Sequence, residues 1–345
     1  MTVAIKLVVA GAGLVGKQHV ESISLCKGVE LLAIVDPSEQ AKDYAGSIAV
    51  PWYHSLSAMF ANESPDGVIL ATPTPLHVEN GLQCIAHKCP TLIEKPLATS
   101  SNEAAILVDK AKAEGVPILV GHHRRHNPLI KKAHDIIDSG ELGQLRAVHA
   151  NCWLFKPDDY FETAPWRKEL GAGPVSVNLA HDIDLLRYLS GNVVSVQAQA
   201  SRSLRGYENE DVAAAVLRFE NDAIGTITVS DVIVSPLSWE LTAHENPAYP
   251  KTSQSCYHLG GTHGSLSLPD LTLWKNGRSR SWWEPISATS FPTENSRPLL
   301  NQIMQFSKVI SGSAEPLVTA EDGFKTLQVI ESIQCSAKTG ETVFL

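Results

Sequence analysis

Over the first 120 residues, short β-branched runs alternate with stretches of helical pattern. Runs at Ala4–Ala10, Glu30–Val35, Gly67–Ala71, Thr91–Glu94 and Pro117–Val120 read as strands, with helices between them at Val15–Cys26, Pro75–His87 and Asn102–Glu114. Helices of that length suit crossover connections, so the rhythm predicts βαβ units and a doubly wound parallel sheet.

After Gly121 the rhythm changes. A helix at Pro128–Ser139, a strand at Leu145–Trp153, an irregular stretch to Gly173 and a helix at about Val175–Leu189 open a second domain. Three strand-like runs then follow without helices, Val193–Ser201, Val212–Phe219 and Ala223–Val232, which indicates an antiparallel sheet. Ser235–His258 is rich in Pro, Ser, Asn and aromatics, has no period, and reads as a long loop. Helices at Leu299–Ile310 and Ala320–Ala337 close the chain. The predicted division is 1–122 and 123–345, with the last helices free to pack back on the first domain. No internal repeat is present.

The length of 345 residues exceeds one ordinary core and fits two domains. Apolar residues make up 43% and charged ones 19%, a globular balance. A net charge of −9 without a sustained block of one sign argues against nucleic acid or an anionic membrane as partner. The apolar start Val3–Ala10 is interrupted by Lys6 and runs into glycines, so it reads as a strand rather than a signal segment, and no other window reaches the length of a membrane span. Six scattered cysteines without a CxxC pair suit reduced thiols in a cytoplasm, with neither disulfides nor zinc expected.

Gly11-Ala12-Gly13-Leu14-Val15-Gly16 follows the first strand and opens the first helix, and Asp36 ends the next strand twenty residues after Gly16. That context turns a weak GxGxxG match into a dinucleotide loop. Gly11 permits the tight turn, Gly13 lets backbone approach a pyrophosphate, and Gly16 lets helix pack on strand, while the helix N-terminus offers N–H groups to the phosphates. Asp36 suits the adenosine ribose hydroxyls and would repel a 2′-phosphate, and Pro37-Ser38 brings no arginine, so NAD is expected over NADP. Ordinary capping of the next helix by Asp36 is the alternative.

Glu94-Lys95-Pro96 ends a buried-looking strand with a charged pair, at the carboxyl ends of the strands where ligands bind, which places Lys95 beside the cofactor. Taken alone such a pair is a solvated strand end. Together with Ala71-Thr72-Pro73-Thr74-Pro75-Leu76-His77 and Gly121-His122-His123-Arg124-Arg125-His126-Asn127-Pro128, its order and spacing resemble the glucose-fructose oxidoreductase/inositol dehydrogenase/MocA family. Ile137-Asp138-Ser139-Gly140-Glu141-Leu142-Gly143 and Gly171-Ala172-Gly173, followed by His181 and Asp184, extend the resemblance over about the first 190 residues.

The resemblance implies an N-terminal Rossmann domain, a C-terminal domain with a large open, mostly antiparallel sheet, and hydride transfer between NAD and a sugar, polyol or related alcohol. It further implies a homodimer or homotetramer built through the open sheet. Lys95 and His181 would work at the substrate hydroxyl. Thr72, Pro73, His77 and Glu94 would line the cofactor, and Trp166-Arg167 resembles the family's pair near the nicotinamide end. The chemistry agrees: oxidation of an alcohol needs a base, which histidine supplies near neutral pH, and a cation to steady the developing alkoxide, which a lysine supplies.

One departure concerns substrate. Many family members carry an aspartate four residues before the histidine, where this chain has Val177, followed by Asn178. At about 100° per residue Asp184 shares the His181 face and Asp182 is turned off it, so Asp184 either orients His181 or makes a structural contact. His122, His123 and His126 lack the spaced partners of a metal site, and with alternate residues of that run facing the cleft, one histidine or Arg124 would touch substrate, an arginine there favouring an anionic one. Trp239, Asn246, Tyr249, Trp282 and Trp283 suit a subunit interface or a sugar face. A non-catalytic NAD-binding regulator is the competing reading, against which both Lys95 and His181 argue, and an NAD-dependent glycosidase is a third.

Overall fold

The computed structural model of the chain describes residues 4–277, 279–292 and 297–345. Val3, at the head of the apolar start, lies outside them. Two compact units result, Met1–His126 with Arg297–Leu327, and Asn127–Ser296 with Gln328–Leu345.

The first unit runs β1 (Ile5–Ala10), α1 (Leu14–Leu25), β2 (Val29–Val35), α2 (Glu39–Ser47), β3 (Trp52–Tyr53), α3 (Leu56–Asn62), β4 (Gly67–Leu70), α4 (His77–Ala86), β5 (Thr91–Ile93), α5 (Ser101–Glu114) and β6 (Ile118–Val120). Its sheet has the order β3-β2-β1-β4-β5-β6 and every pairing is parallel. A central parallel strand is covered on both faces, which explains why β1 is apolar and buried throughout Leu7–Ala10. Leu7 and Val9 pack into one core and Val8 and Ala10 into the other. The order reverses between β1 and β4, so the loops that follow those two strands frame the crevice where doubly wound sheets bind ligands.

The second unit holds α6 (Pro128–Asp138), β7 (Leu145–Trp153), α7 (Asp158–Glu162), α8 (Pro174–Val177), α9 (Leu179–Ser190), β8 (Val193–Arg202), β9 (Glu210–Phe219), β10 (Ile224–Ser230), α10 (Trp239–Thr242), β11 (Tyr257–Gly261), β12 (Gly264–Leu268), β13 (Thr272–Asn276) and β14 (Ile286–Ser290). The chain then forms α11 (Pro298–Ile310), α12 (Ala320–Thr339) and β15 (Val343–Phe344). The second sheet has nine strands in the order β14-β13-β12-β11-β7-β10-β9-β8-β15, antiparallel except for the β7–β10 pair. In β9 the inward positions Ala213, Ala215, Leu217 and Phe219 are buried while Ala214, Val216 and Arg218 are exposed, the period-2 pattern of a sheet covered on one side. The covered face packs on Leu129, Ile130, Ala133 and Ile136 of α6, on Ile183, Leu186 and Leu189 of α9, and on Ile330 and Ile333 of α12.

Several sequence expectations change here. The helix expected over Val175–Leu189 divides at Asn178 into α8 and α9. The expected loop Ser235–His258 contains α10 and enters β11, and Trp239 is a core residue, 1% exposed and packed against Tyr257, rather than an interface or ligand residue. His123–His126 forms a 3₁₀ turn instead of a strand end, and His122, Arg124, Arg125 and His126 are all buried, because the run packs inward and leaves no alternate solvent face. Among the described residues no helix is long and apolar enough to cross a membrane.

Candidate active site

At the switch point of the first sheet the glycine loop is set by contacts that only glycine tolerates. Gly11 has φ +93°, and a Cβ there would lie 2.3 Å from the Ala71 carbonyl oxygen on the neighbouring loop. A Cβ on Gly16 would lie 1.8 Å from the Gly11 carbonyl oxygen, so α1 touches its own loop. Gly13 differs, since a Cβ there meets nothing within 4 Å and its surface faces open space. The serines Ser38, Ser55 and Ser100 cap α2, α3 and α5 by accepting a backbone N–H, whereas α1 has no side-chain cap. Its first-turn N–H groups and partial positive charge are therefore left for an anion.

Asp36 flanks this loop. Its Oδ2 accepts the Ala12 N–H at 2.8 Å, and its Oδ1 accepts the Ser38 N–H at 2.9 Å and the Ser38 hydroxyl at 2.6 Å. Burial pushes the Asp36 carboxyl up, and these three donors outweigh it and hold the group below the usual carboxylate range. The cap of α2 is Ser38, so the capping alternative for Asp36 does not hold. Open space at Gly13, an uncapped helix and an ionised carboxylate at the end of β2 fit a dinucleotide whose ribose carries free hydroxyls. NADP is expected to bind roughly tenfold or more weakly than NAD when both are titrated by fluorescence, since a 2′-phosphate meets the Asp36 charge, and equal affinities would refute this.

Beyond β4 and β5 the other candidates of this unit lie close together. His77 is 1% exposed and bridges two carbonyls, with Nε2 2.9 Å from the Thr72 oxygen and Nδ1 2.8 Å from the Pro96 oxygen. It thereby ties the loop Thr72-Pro73 to the Glu94-Lys95-Pro96 turn, whose Lys95–Pro96 peptide is cis. Glu94 reaches His19 of α1 at 2.7 Å, and its other oxygen accepts the Lys95 backbone N–H at 3.2 Å. His19 was not singled out from the sequence. The spacing Gly16-His19-Val20-Ile23 is the buried face of α1, and a histidine on such a face calls for a polar partner. Burial and the neighbouring Arg124 charge push the His123 ring down to about 3, so it stays neutral. Arg125 pairs with Asp322 at 3.3 Å.

In the second unit His181, Asp182 and Asp184 are all buried on α9. Asp182 accepts the Tyr257 hydroxyl and is a core contact, in keeping with its turn away from the His181 face. Val177 ends α8 and Asn178 stands at the α8–α9 break. Arg167 lies 3.9 Å above the Tyr160 ring and donates to the Tyr160 carbonyl oxygen and the Thr163 hydroxyl, while Trp166 is 53% exposed. A buried polar cluster near the ends of the parallel pair β7 and β10 carries no signal in the sequence. Arg205 donates to Asp231 at 3.0 Å, and the Lys156 amine is 3.8 Å from the same carboxylate. Burial pushes the Lys156 amine down and the Asp231 carboxyl up. Among the described residues no group of three His, Cys, Asp or Glu is placed to hold a metal.

Comparison with known proteins agrees with this architecture. A family model for an oxidoreductase family with an NAD-binding Rossmann fold matches residues 5–122, and a GFO/IDH/MocA C-terminal domain model matches residues 130–267. The 4-carboxy-2-hydroxymuconate-6-semialdehyde dehydrogenase of Sphingobium is 29% identical over 237 residues, 65% of this chain and 71% of that protein. The scyllo-inositol 2-dehydrogenase (NAD(+)) of Bacillus subtilis is 26% identical over 355 residues, 99% of this chain and 96% of that protein. An oxidoreductase from Agrobacterium radiobacter, crystallised with NAD+, L-tartaric acid and magnesium, shares the fold at TM-score 0.81 and 21% identity over 99% of this chain and 98% of that one. With a reversed parallel sheet, an open glycine loop and a second, mostly antiparallel sheet all present, the chain belongs to the GFO/IDH/MocA oxidoreductase family.

Proposed function

We propose that this enzyme oxidises a hydroxyl of a sugar, polyol or cyclic diol, or reduces the corresponding carbonyl, with NAD as the hydride partner. The observation that carries the reading is the open surface of Gly13 at an uncapped helix beside the ionised Asp36, in a family of NAD-binding oxidoreductases. Relatives named as inositol and apiose dehydrogenases support the substrate class. Bound NAD supplies the hydride acceptor.

The chain's own residues handle the proton. His181, buried near the start of α9, takes the substrate hydroxyl proton from the substrate oxygen. Lys95 holds the same oxygen as negative charge develops on it and serves as the alternate acid. Asp184 lies on the His181 face of the helix and orients the ring, and Asn178, standing beside the position of the missing acid, contacts a substrate hydroxyl. Arg124 would contribute a positive charge toward the substrate, and Trp166-Arg167 would meet the nicotinamide end of a bound NAD. A second copy of the chain covers the open face of the large sheet, where Val216, Ile224 and Trp274 are each more than 40% exposed.

A screen of sugars, polyols and diols with NAD tests the assignment. Substrate-dependent growth of absorbance at the NADH band is the expected result. Silence across the screen would favour a regulator, and release of a leaving group without net NADH would indicate a glycosidase.

A further inference from the structure

One carboxylate in the first unit joins the cofactor helix to the lysine turn. His19 is completely buried on α1, the helix that the glycine loop opens, and its Nε2 lies 2.7 Å from Glu94 Oε1. Glu94 Oε2 accepts the N–H of the very next residue, Lys95. The carboxylate is backed by Gly121, where an added Cβ would lie 2.6 Å from Oε2, so no side chain stands between the end of β6 and this group. The Glu94 side chain is only 12% exposed, which is not the solvated strand end that a charged pair after a strand usually makes. Among the described residues His19 Nδ1 has no hydrogen-bond partner, so the fitting tautomer carries its proton on Nε2 and donates it to Glu94.

We propose that His19 and Glu94 are a positioning pair, which fixes the backbone of Lys95 relative to the dinucleotide helix and keeps a negative charge beside the lysine. The inference rests on the reading of Lys95 as the residue that holds the reacting oxygen. Lysine carries its amine on a flexible stem of four carbons, so its aim depends on how firmly its backbone is held. The hydrogen bond to Glu94 supplies that hold, and His19 fixes Glu94 in turn, much as an outer partner orients a ligating side chain. The charged and titratable groups that bear on Glu94 are His19, Lys95 and His123, with Arg124 beside His123. Burial pushes the Glu94 carboxyl up, and the His19 hydrogen bond together with the Lys95 charge more than reverses it, so the group stays ionised. An ionised neighbour favours the ammonium form of Lys95.

The test compares Glu94→Gln, His19→Leu and His19→Gln with the parent and with Lys95→Ala. In Glu94→Gln, kcat should fall roughly 10- to 100-fold. The alkaline limb of its kcat profile should move to lower pH, because a neutral amide no longer favours the ammonium. In the cofactor-free protein, reductive methylation of Lys95 followed by mass spectrometry should become faster at neutral pH in Glu94→Gln while the other lysines keep their parental rates, whereas a general loss of fold stability would speed them all. His19→Gln keeps an N–H donor and should recover most of the activity lost in His19→Leu. A parental kcat with an unmoved profile and unchanged methylation in Glu94→Gln would overturn the pairing if Lys95→Ala is inactive. Should Glu94→Gln not fold, equal activities of His19→Gln and His19→Leu would overturn it instead. Near-normal turnover in Lys95→Ala would overturn the underlying reading of the lysine.

Discussion

Lys95→Ala and His181→Ala are each expected to lower kcat by about three orders of magnitude, the range that positioned proton transfer and charge stabilisation supply. NADH affinity should persist in both, because the open loop surface at Gly13 and the Asp36 carboxylate belong to other parts of the chain. The two losses should also fail to add: once the hydroxyl proton has no acceptor, removing the cation that steadies the resulting oxygen costs little more. Single-turnover kinetics with each variant, alone and combined, checks this. Near-normal turnover in either single variant would remove that residue from the chemistry. Val177→Asp, which places an acid four residues before His181, is a natural companion for the substrate screen, since the Val177 side chain is half-buried beside Asn178.

The three loop glycines should separate stability from binding. Gly11→Ala and Gly16→Ala drive a methyl into backbone atoms, the Ala71 and Gly11 carbonyls respectively, and backbone cannot swing aside as a side chain can. Each should destabilise the protein by about 3 kcal/mol or more, seen as a fall of several degrees in Tm. Gly13→Ala meets nothing, at φ −70° in ordinary extended backbone, so its Tm should move by no more than about two degrees. Its methyl instead occupies the space that lets backbone come close to a pyrophosphate, and NADH should bind at least about tenfold more weakly. Thermal melts and fluorescence titration of the three variants provide the check, and normal NADH binding by Gly13→Ala would refute the role given to that surface.

What the sequence revealed follows from how strongly each element is specified by its own residues. The strands β1, β2, β4, β5 and β6 are buried on both faces and stand out as aliphatic runs, so their positions were legible to within a residue or two. The two-residue strand β3 and the short helices α2 and α3 were not, because their lengths carry no period and their caps are single serines. The strands β11 to β14 were missed for a related reason: each is only five residues long, and in β11, β12 and β14 glycine or serine interrupts the alternation that marks a longer strand. Helical spacing turns Asp182 away from the position of His181, but its partner, Tyr257, lies 75 residues away and only the folded chain reveals it. The same holds for His19 and Glu94, and for the Lys156, Arg205 and Asp231 cluster, whose members come from three separate segments.

The segment that returns to the first unit also constrains how the protein can be made. On one face of the parallel sheet, Leu7, Val9, Ile69, Leu92 and Leu119 share a core with Ile303, Phe306 and Val309 of α11, nearly 300 positions from β1. During synthesis Val20 and Ile23 of α1 and Ala45 of α2 can cover part of that face early, but the part that α11 packs on stays uncovered until α11 has left the ribosome. Folding of this half is in that sense a late event, dominated by contacts between distant parts of the chain and correspondingly slow.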